Sequence, residues 1–129
     1  MKSLFSIVLV MSMMSLMTGC QREAANPIDK EAAARGKQLI SKCTMCHSVN
    51  DDKAFVGPSL KGVIGRNAGT VAGYEYSPAM VKSGLVWTPE NIETFLKNPS
   101  ALVPGTKMAI GEVPPNEAKD IIEYLRLID

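Results

Sequence analysis

The sequence predicts a small all-α domain in which the first and last helices cross, while short helices and loops enclose a bound group. Apolar residues recur at helical spacing in one segment before residue 43 and in another after residue 114. Between them, proline-opened short helices and glycine-rich turns replace the regular alternation of strands. Aromatic residues make up only 5% of the 129 residues, so a core filled by side chains alone would be small.

The first helix should begin at Asn26-Pro27, with Asn26 as N-cap, Pro27 at the first helical position and Asp29 in the first turn. Residues at helical spacing then lead towards position 43: Gly36, Leu39, Ile40 and Cys43. A glycine inside a helix costs about 1 kcal/mol relative to alanine. Gly36 therefore predicts close contact with another helix.

The middle of the chain should consist of turns and two short helices. Five glycines lie between residues 57 and 73, a composition typical of compact turns. Ser77-Pro78 opens a short helix that Gly84 closes, and Thr88-Pro89 opens a second that ends before Pro99.

Residues 98–113 should again be irregular, and a last helix should follow Pro114-Pro115. One face of this helix is apolar: Ala118, Ile121, Ile122, Leu125 and Ile128. Such a face needs a partner, and the first helix is the expected one.

Cys43-Thr44-Met45-Cys46-His47 is the only place where two cysteines and a histidine come together. This spacing attaches haem, because each thiol bonds one vinyl group and the imidazole ligates the iron. A structural zinc site needs four ligands, whereas the chain holds three cysteines and one histidine. A thioredoxin-like dithiol would accompany a βαβ pattern, which is absent from the sequence. The motif therefore favours covalent haem over both alternatives.

The N-terminus reads as an export signal. Lys2 precedes an apolar run from Leu4 to Met17, which is shorter than the ~20 residues needed to span a bilayer. Met17-Thr18-Gly19-Cys20 resembles the bacterial lipoprotein signal, although Leu is more usual at the position of Met17. We expect residues 1–19 to be a lipoprotein signal peptide, 20–28 a tether lipidated at Cys20, and 29–129 the functional domain. The alternative is cleavage elsewhere, with Cys20 an incidental thiol.

Charge gives no sign of a nucleic-acid partner. Without Lys2, which lies in the signal, thirteen Lys and Arg face thirteen Asp and Glu. A balanced chain lacks the basic excess that binds nucleic acid or an anionic membrane surface.

The second axial ligand can be narrowed by elimination. His47 is the only histidine, and of the three methionines after residue 20, Met45 lies within the attachment loop. Met80 falls in a short helix, where an apolar side chain usually packs. Met108 follows Pro104-Gly105, a segment with the backbone freedom to present a side chain to a metal, so Met108 is favoured.

From Gly36 to Leu125 the chain resembles class I cytochromes c of the mitochondrial and bacterial short-chain type. The shared motifs occur in order: Cys43-Thr44-Met45-Cys46-His47, Gly57-Pro58-Ser59-Leu60, Gly65-Arg66, Gly73-Tyr74-Glu75-Tyr76-Ser77, Ser83-Gly84, Trp87, Asn98-Pro99, Pro104-Gly105-Thr106-Lys107-Met108 and Tyr124-Leu125. The resemblance implies the small cytochrome c fold and one covalent haem c per chain.

The resemblance also implies roles for residues that the motifs carry. The Pro58 carbonyl should bond the proximal imidazole, and Gly36 should pack against Tyr124 where the terminal helices cross. The haem propionates should be surrounded by Arg66, Tyr76 and Trp87.

Two positions depart from the family pattern. Phe95 stands where many relatives have a tyrosine whose hydroxyl bonds the methionine sulfur, and Ile110 stands where a phenylalanine often covers the haem edge.

These features together predict a membrane-tethered monohaem electron carrier, not an enzyme. Iron ligated by both His47 and Met108 has no open position for oxygen or peroxide. The expected partners are redox proteins, such as a terminal oxidase, a quinol-oxidising complex or an exported dehydrogenase. The haem domain should be a monomer in the periplasm or outside the cytoplasmic membrane. A haem-based sensor or a peroxidase-like enzyme is the alternative function.

Overall fold

The computed structural model describes residues 26–129. Six helices occur in this part of the chain: α1 Lys30–Leu39, α2 Ser41–Thr44, α3 Pro78–Lys82, α4 Pro89–Lys97, α5 Pro99–Leu102 and α6 Pro115–Ile128. The described residues contain two isolated bridges, His47 with Ala54 and Asn67 with Val86, and no strand. The all-α prediction is confirmed for this range. The signal at 1–19, Cys20 and tether residues 20–25 lie outside it.

The predicted start of α1 is wrong by three residues. Asn26 is not the N-cap; that place belongs to Asp29, whose carboxylate accepts the N–H groups of Glu31 and Ala32, both at 3.0 Å. The Asp29 amide in turn donates to a Glu123 carboxylate oxygen of α6 at 2.9 Å. This tertiary contact favours an extended Asp29, which is the conformation an N-cap requires.

Gly36 is where α1 crosses α6. A Cβ atom built on Gly36 would lie 1.9 Å from the Asp120 carbonyl oxygen and 2.9 Å from Cβ of Tyr124. Only glycine allows the two helix backbones to approach this closely. The predicted pairing of the terminal helices, with Gly36 against Tyr124, is confirmed.

The short helices begin at the predicted caps. Ser77 accepts from the Met80 amide and Thr88 from the Asn91 amide, each at 3.2 Å. Between α2 and α3 the chain forms turns, as its glycines predict.

Residues 98–113 are less irregular than expected, because Pro99 both ends α4 and opens α5. Asn98 caps this added helix by accepting from the Ala101 amide at 3.0 Å. A proline fits the first position of a helix as well as it ends the preceding one.

The core consists of two apolar clusters. The larger contains Ile40, which follows α1, Ile92 and Leu96 of α4, and four residues of α6: Ala118, Ile121, Ile122 and Leu125. The smaller contains Ala68, Met80, Phe95 and Val103. Two partly buried side chains, Trp87 and Met108, pack against both clusters. No helix among residues 26–129 is long and apolar enough to cross a membrane.

Candidate haem site

A cavity of about 850 Å³ lies between the two clusters, within the ~300–1,000 Å³ usual for cofactor sites. Its lining includes every haem-contacting residue that the sequence predicts: Cys43, Cys46, His47, Pro58, Arg66, Tyr76, Trp87 and Met108. These residues are spread over more than sixty positions of the chain. The fold therefore brings together all the candidates in the described range.

The short helix α2 carries Cys43, and Cys46 follows just after the end of this helix. The amides of Cys46 and His47 both donate to the Cys43 carbonyl, at 3.0 and 2.9 Å, so the motif forms one tight turn. Both thiols are free and half-buried. Burial raises the pKa of Cys43, so the free thiol is protonated at neutral pH. Moreover, no group of three or more His, Cys, Asp or Glu side chains within residues 26–129 could hold a metal ion.

The His47 imidazole is fixed by two neighbours. Its Nδ1 lies 2.7 Å from the Pro58 carbonyl oxygen. A carbonyl only accepts, so Nδ1 carries the proton and donates, while Nε2 keeps the lone pair that can bind iron. The hydrogen bond that the resemblance implies is therefore present, and it selects the tautomer and ring orientation suited to a metal ligand.

Gly57 is a site residue that the sequence reasoning did not single out. A Cβ atom on Gly57 would lie 2.3 Å from Cε1, 2.6 Å from Nδ1 and 2.8 Å from Nε2 of His47. The Gly57 amide also donates to the Cys46 carbonyl at 2.8 Å. The backbone at Gly57 thus forms a cradle for the imidazole. Its place in the Gly57-Pro58 motif was the available signal.

Arg66 and Trp87 lie on adjacent stretches of chain that pair locally. The Trp87 amide donates to the Arg66 carbonyl, and the Gly65 amide to the Trp87 carbonyl, both at 2.9 Å. The Arg66 guanidinium donates to the carbonyls of Lys61 and Ser59, at 2.9 and 2.7 Å. Two of its five N–H donors are used in these bonds. Burial lowers the pKa of Arg66, though an arginine stays charged at neutral pH.

Tyr76 adds a second polar group to the lining. Its hydroxyl accepts from the Val71 amide at 3.4 Å, and burial raises its pKa, so the neutral phenol is the stable form at neutral pH. A neutral phenol beside a guanidinium offers hydrogen-bond donors to a carboxylate. The polar part of the cavity is therefore suited to an anionic group.

Both candidate methionines reach the cavity. Met80 is buried in the smaller cluster, whereas Met108 is half-buried and packs against both clusters. The Met108 amide donates to the Thr106 hydroxyl at 3.3 Å, and this bond closes a local turn where the chain lines the cavity. The choice between the two sulfurs stays a prediction.

The two departures from the family pattern have different surroundings. Phe95 is buried and stacks at a tilt against Trp87, with ring centroids 5.0 Å apart. It offers no hydroxyl to a sulfur in the cavity. Ile110 lines the cavity yet leaves 43% of its surface exposed.

Residues 33–128 match the family model described as Cytochrome c, and this range includes every residue that lines the cavity. The chain belongs to the cytochrome c family. It is 44% identical to cytochrome c2 of Rhodopila globiformis over 95 residues, covering 72% of this chain and 90% of that protein. It is 42% identical to cytochrome c 2.1 of Caenorhabditis briggsae over 95 residues, covering 72% and 85%.

Solved structures agree on the fold. Cytochrome cH from Methylobacterium extorquens is 41% identical and superimposes with a TM-score of 0.70, covering 74% of this chain and 97% of that one. The described residues therefore have the cytochrome c fold predicted from the sequence. Family membership brings one covalent haem c per chain and a role as a monohaem electron carrier. The paired thiols, the oriented imidazole and the cavity volume all fit that cofactor.

Proposed function

We propose that this cytochrome c is an exported, lipid-anchored electron carrier whose iron is held by His47 and Met108. The observation that carries the proposal is the His47 imidazole, whose Nδ1 bond to Pro58 directs Nε2 towards a cavity that Met108 also lines. Bound haem supplies reversible one-electron chemistry at iron. The chain's part is to bind it through Cys43 and Cys46 and to occupy both axial positions.

Filled axial positions favour a carrier over the two alternative functions. A peroxidase-like enzyme needs an open coordination site and a distal acid–base group, and the chain has one histidine. A sensor would require displacement of Met108. In this proposal Arg66, Tyr76 and Trp87 surround the propionates, where the remaining guanidinium donors meet a carboxylate.

Ligation is tested by comparing Met108→Ala with Met80→Ala, two variants with the same truncation in the same cavity. The oxidised protein should show the weak far-red band of sulfur bound to ferric haem. Met108→Ala should abolish this band and open the iron to cyanide, while Met80→Ala should keep it. The reverse pattern would assign Met80, and fast cyanide or carbon monoxide binding by the unaltered protein would favour a sensor or an enzyme.

The anchor in this proposal is a lipid on Cys20, left after removal of residues 1–19. Two or more acyl chains hold a protein stably on a membrane where a single chain is marginal. The eight residues from Cys20 to Ile28 span at most ~28 Å when extended. The haem domain would then stay in a thin layer outside the cytoplasmic membrane, close to an oxidase, a quinol-oxidising complex or an exported dehydrogenase.

Cys20→Ser tests the anchor. The variant should lose its lipid and leave the membrane fraction, and the mass of the mature chain should fall by the acyl groups. Unchanged mass and fractionation would show that export proceeds by cleavage elsewhere, with Cys20 an ordinary thiol.

A further inference from the structure

Four large apolar side chains are exposed either in the lining of the haem cavity or directly beside a lining residue in the sequence. We name Met45, Phe55, Val56 and Ile110 the mouth patch; their exposed fractions are 78%, 60%, 73% and 43%. Val56 and Ile110 line the cavity itself. Exposed apolar groups at such a density usually mark a surface that another molecule covers.

Backbone hydrogen bonds hold the patch together. The Gly57 amide donates to the Cys46 carbonyl at 2.8 Å, and the Phe55 amide donates to the Gly57 carbonyl at 3.0 Å. The loop that carries Phe55 and Val56 therefore lies against the attachment turn that carries Met45. The Tyr74 hydroxyl also donates to the Val56 carbonyl at 3.1 Å, which fixes this loop from its other side.

Three lysines near the mouth patch each have an acidic side chain close to their ammonium group. Each of three lysines lies within 4.0 Å of a carboxylate: Lys42 with Glu117 at 2.9 Å, Lys53 with Asp51 at 4.0 Å, and Lys107 with Glu75 at 3.9 Å. Lys107 additionally donates to the Glu75 carbonyl at 2.6 Å. Paired charges give a weak field at a distance, so this face has little to attract an oppositely charged partner.

We propose that the mouth patch is the docking surface for a redox protein that presents an apolar and electrically neutral face. This inference rests on the proposed function, because a partner seated here comes nearest to the group in the cavity. Methionine and aromatic side chains are enriched in protein interfaces, and the mouth patch contains one of each, Met45 and Phe55. Apolar contact, and not the pairing of lysines with acidic residues, then provides the affinity.

The chain's own N-terminal residues are a poor occupant of this face. Residues 21–25, Gln-Arg-Glu-Ala-Ala, carry no large apolar side chain. The Asn26 carbonyl is bound by the Arg126 guanidinium near the end of α6. Asn26, to which this segment is joined, therefore lies at the end of α1 opposite the attachment turn.

The test compares Phe55→Ser and Val56→Ser with the control Val81→Ser. Val81 is 59% exposed and does not line the cavity. Ferrous haem-loaded full-length chains are oxidised by membranes from the organism that encodes the protein. Both patch variants should raise KM about fivefold or more, the scale of a truncated interface anchor, while Val81→Ser leaves KM unchanged. For the unaltered chain, KM should change less than about twofold between ~50 and ~200 mM salt.

Other results would overturn the inference. Equal KM for all three variants would remove the mouth patch from the interface, and a steep rise of KM with salt would assign docking to charge. Reduced binding of Phe55→Ser, in a Cys20→Ser background, to phosphatidylcholine vesicles would make the patch a membrane contact. A dimer that Phe55→Ser dissociates would make it a self-association surface. Membranes that fail to oxidise the unaltered chain would refute the proposed function itself. If the membranes oxidise all the chains with the same KM, only the docking proposal fails.

Discussion

Replacement of Gly57 by alanine should displace the whole His47 imidazole, including the Nε2 atom proposed to bind iron. The new Cβ would lie 2.3 Å from Cε1, so the ring must move by about 1 Å to reach an ordinary contact of 3.4 Å. A shift of this size stretches the 2.7 Å bond between Nδ1 and the Pro58 carbonyl beyond the ~3.2 Å limit of a good hydrogen bond. Overpacking of this kind costs about 1–3 kcal/mol of the free energy of unfolding.

The same change should alter the reduction potential. A hydrogen bond from Nδ1 makes the imidazole a stronger donor to iron, which stabilises the ferric state. The net value of the bond, about 0.5–1.4 kcal/mol, is the upper limit of this ferric preference, so its loss should raise the potential by at most roughly 20–60 mV for a one-electron couple.

Gly111→Ala is the matched control for this prediction. Its Cβ would meet no protein atom within 4 Å, and its φ lies outside the left-handed region, so the free energy of unfolding and the orientation of His47 should stay as they are. Redox titration and guanidinium unfolding of the haem-loaded proteins measure the reduction potential and the free energy of unfolding. If Gly57→Ala matches the unaltered protein in both, the backbone does not constrain the imidazole as argued.

Three further predictions concern the helix crossing, pH and the cofactor bond. Gly36→Ala should destabilise the fold by about 2 kcal/mol or more despite its better helix propensity, because the new Cβ meets the Asp120 backbone; Ala34→Gly, at an exposed position of α1, should cost only ~1 kcal/mol in denaturant unfolding. A hydrogen bond from Arg35 of α1 lowers the pKa of Asp120 below its ordinary 3.8, so the ion pair stabilises the fold above that pH and loses this effect below it. Asp120→Asn should therefore be slightly less stable than the unaltered protein at pH 7, and the difference should close as the pH falls below 3.8. Equal stability of the two proteins at pH 7 would show that the pair contributes nothing. Acid–acetone should leave haem on the unaltered chain, and haem that extracts freely would contradict attachment through Cys43 and Cys46.

The helices that carry strong end signals were predictable from sequence. Ser77-Pro78 and Thr88-Pro89 each place a capping hydroxyl before a proline, and the structure begins α3 and α4 there. At the start of α1, two cap signals compete within four residues. Asp29 prevails because Glu123, almost a hundred positions away, bonds its amide. Local pattern contains no trace of such a contact.

The site residues also fall into two groups, those with a local sequence signal and those whose role depends on a tertiary contact. The attachment motif has a fixed spacing, so Cys43, Cys46 and His47 could be predicted directly, and the structure places all three in the cavity lining. Gly57 differs, because its importance depends on a 2.3 Å approach to a ring ten positions earlier, and only the folded loop creates that approach. The pairing of Lys42 near the cavity is likewise tertiary, because its partner Glu117 lies 75 positions away in the sequence.

Trp87 and Met108 explain why fold and site cannot be separated in this chain. Both side chains line the cavity, and both pack against the larger and the smaller apolar cluster. The two clusters therefore meet largely around the space that the cofactor fills. A chain with about a hundred residues in its domain has little apolar surface to spare, so a large apolar macrocycle between the clusters completes the core. The thioether bonds keep that part of the core attached, which links the stability of the fold to the same contacts that hold the axial ligands in place.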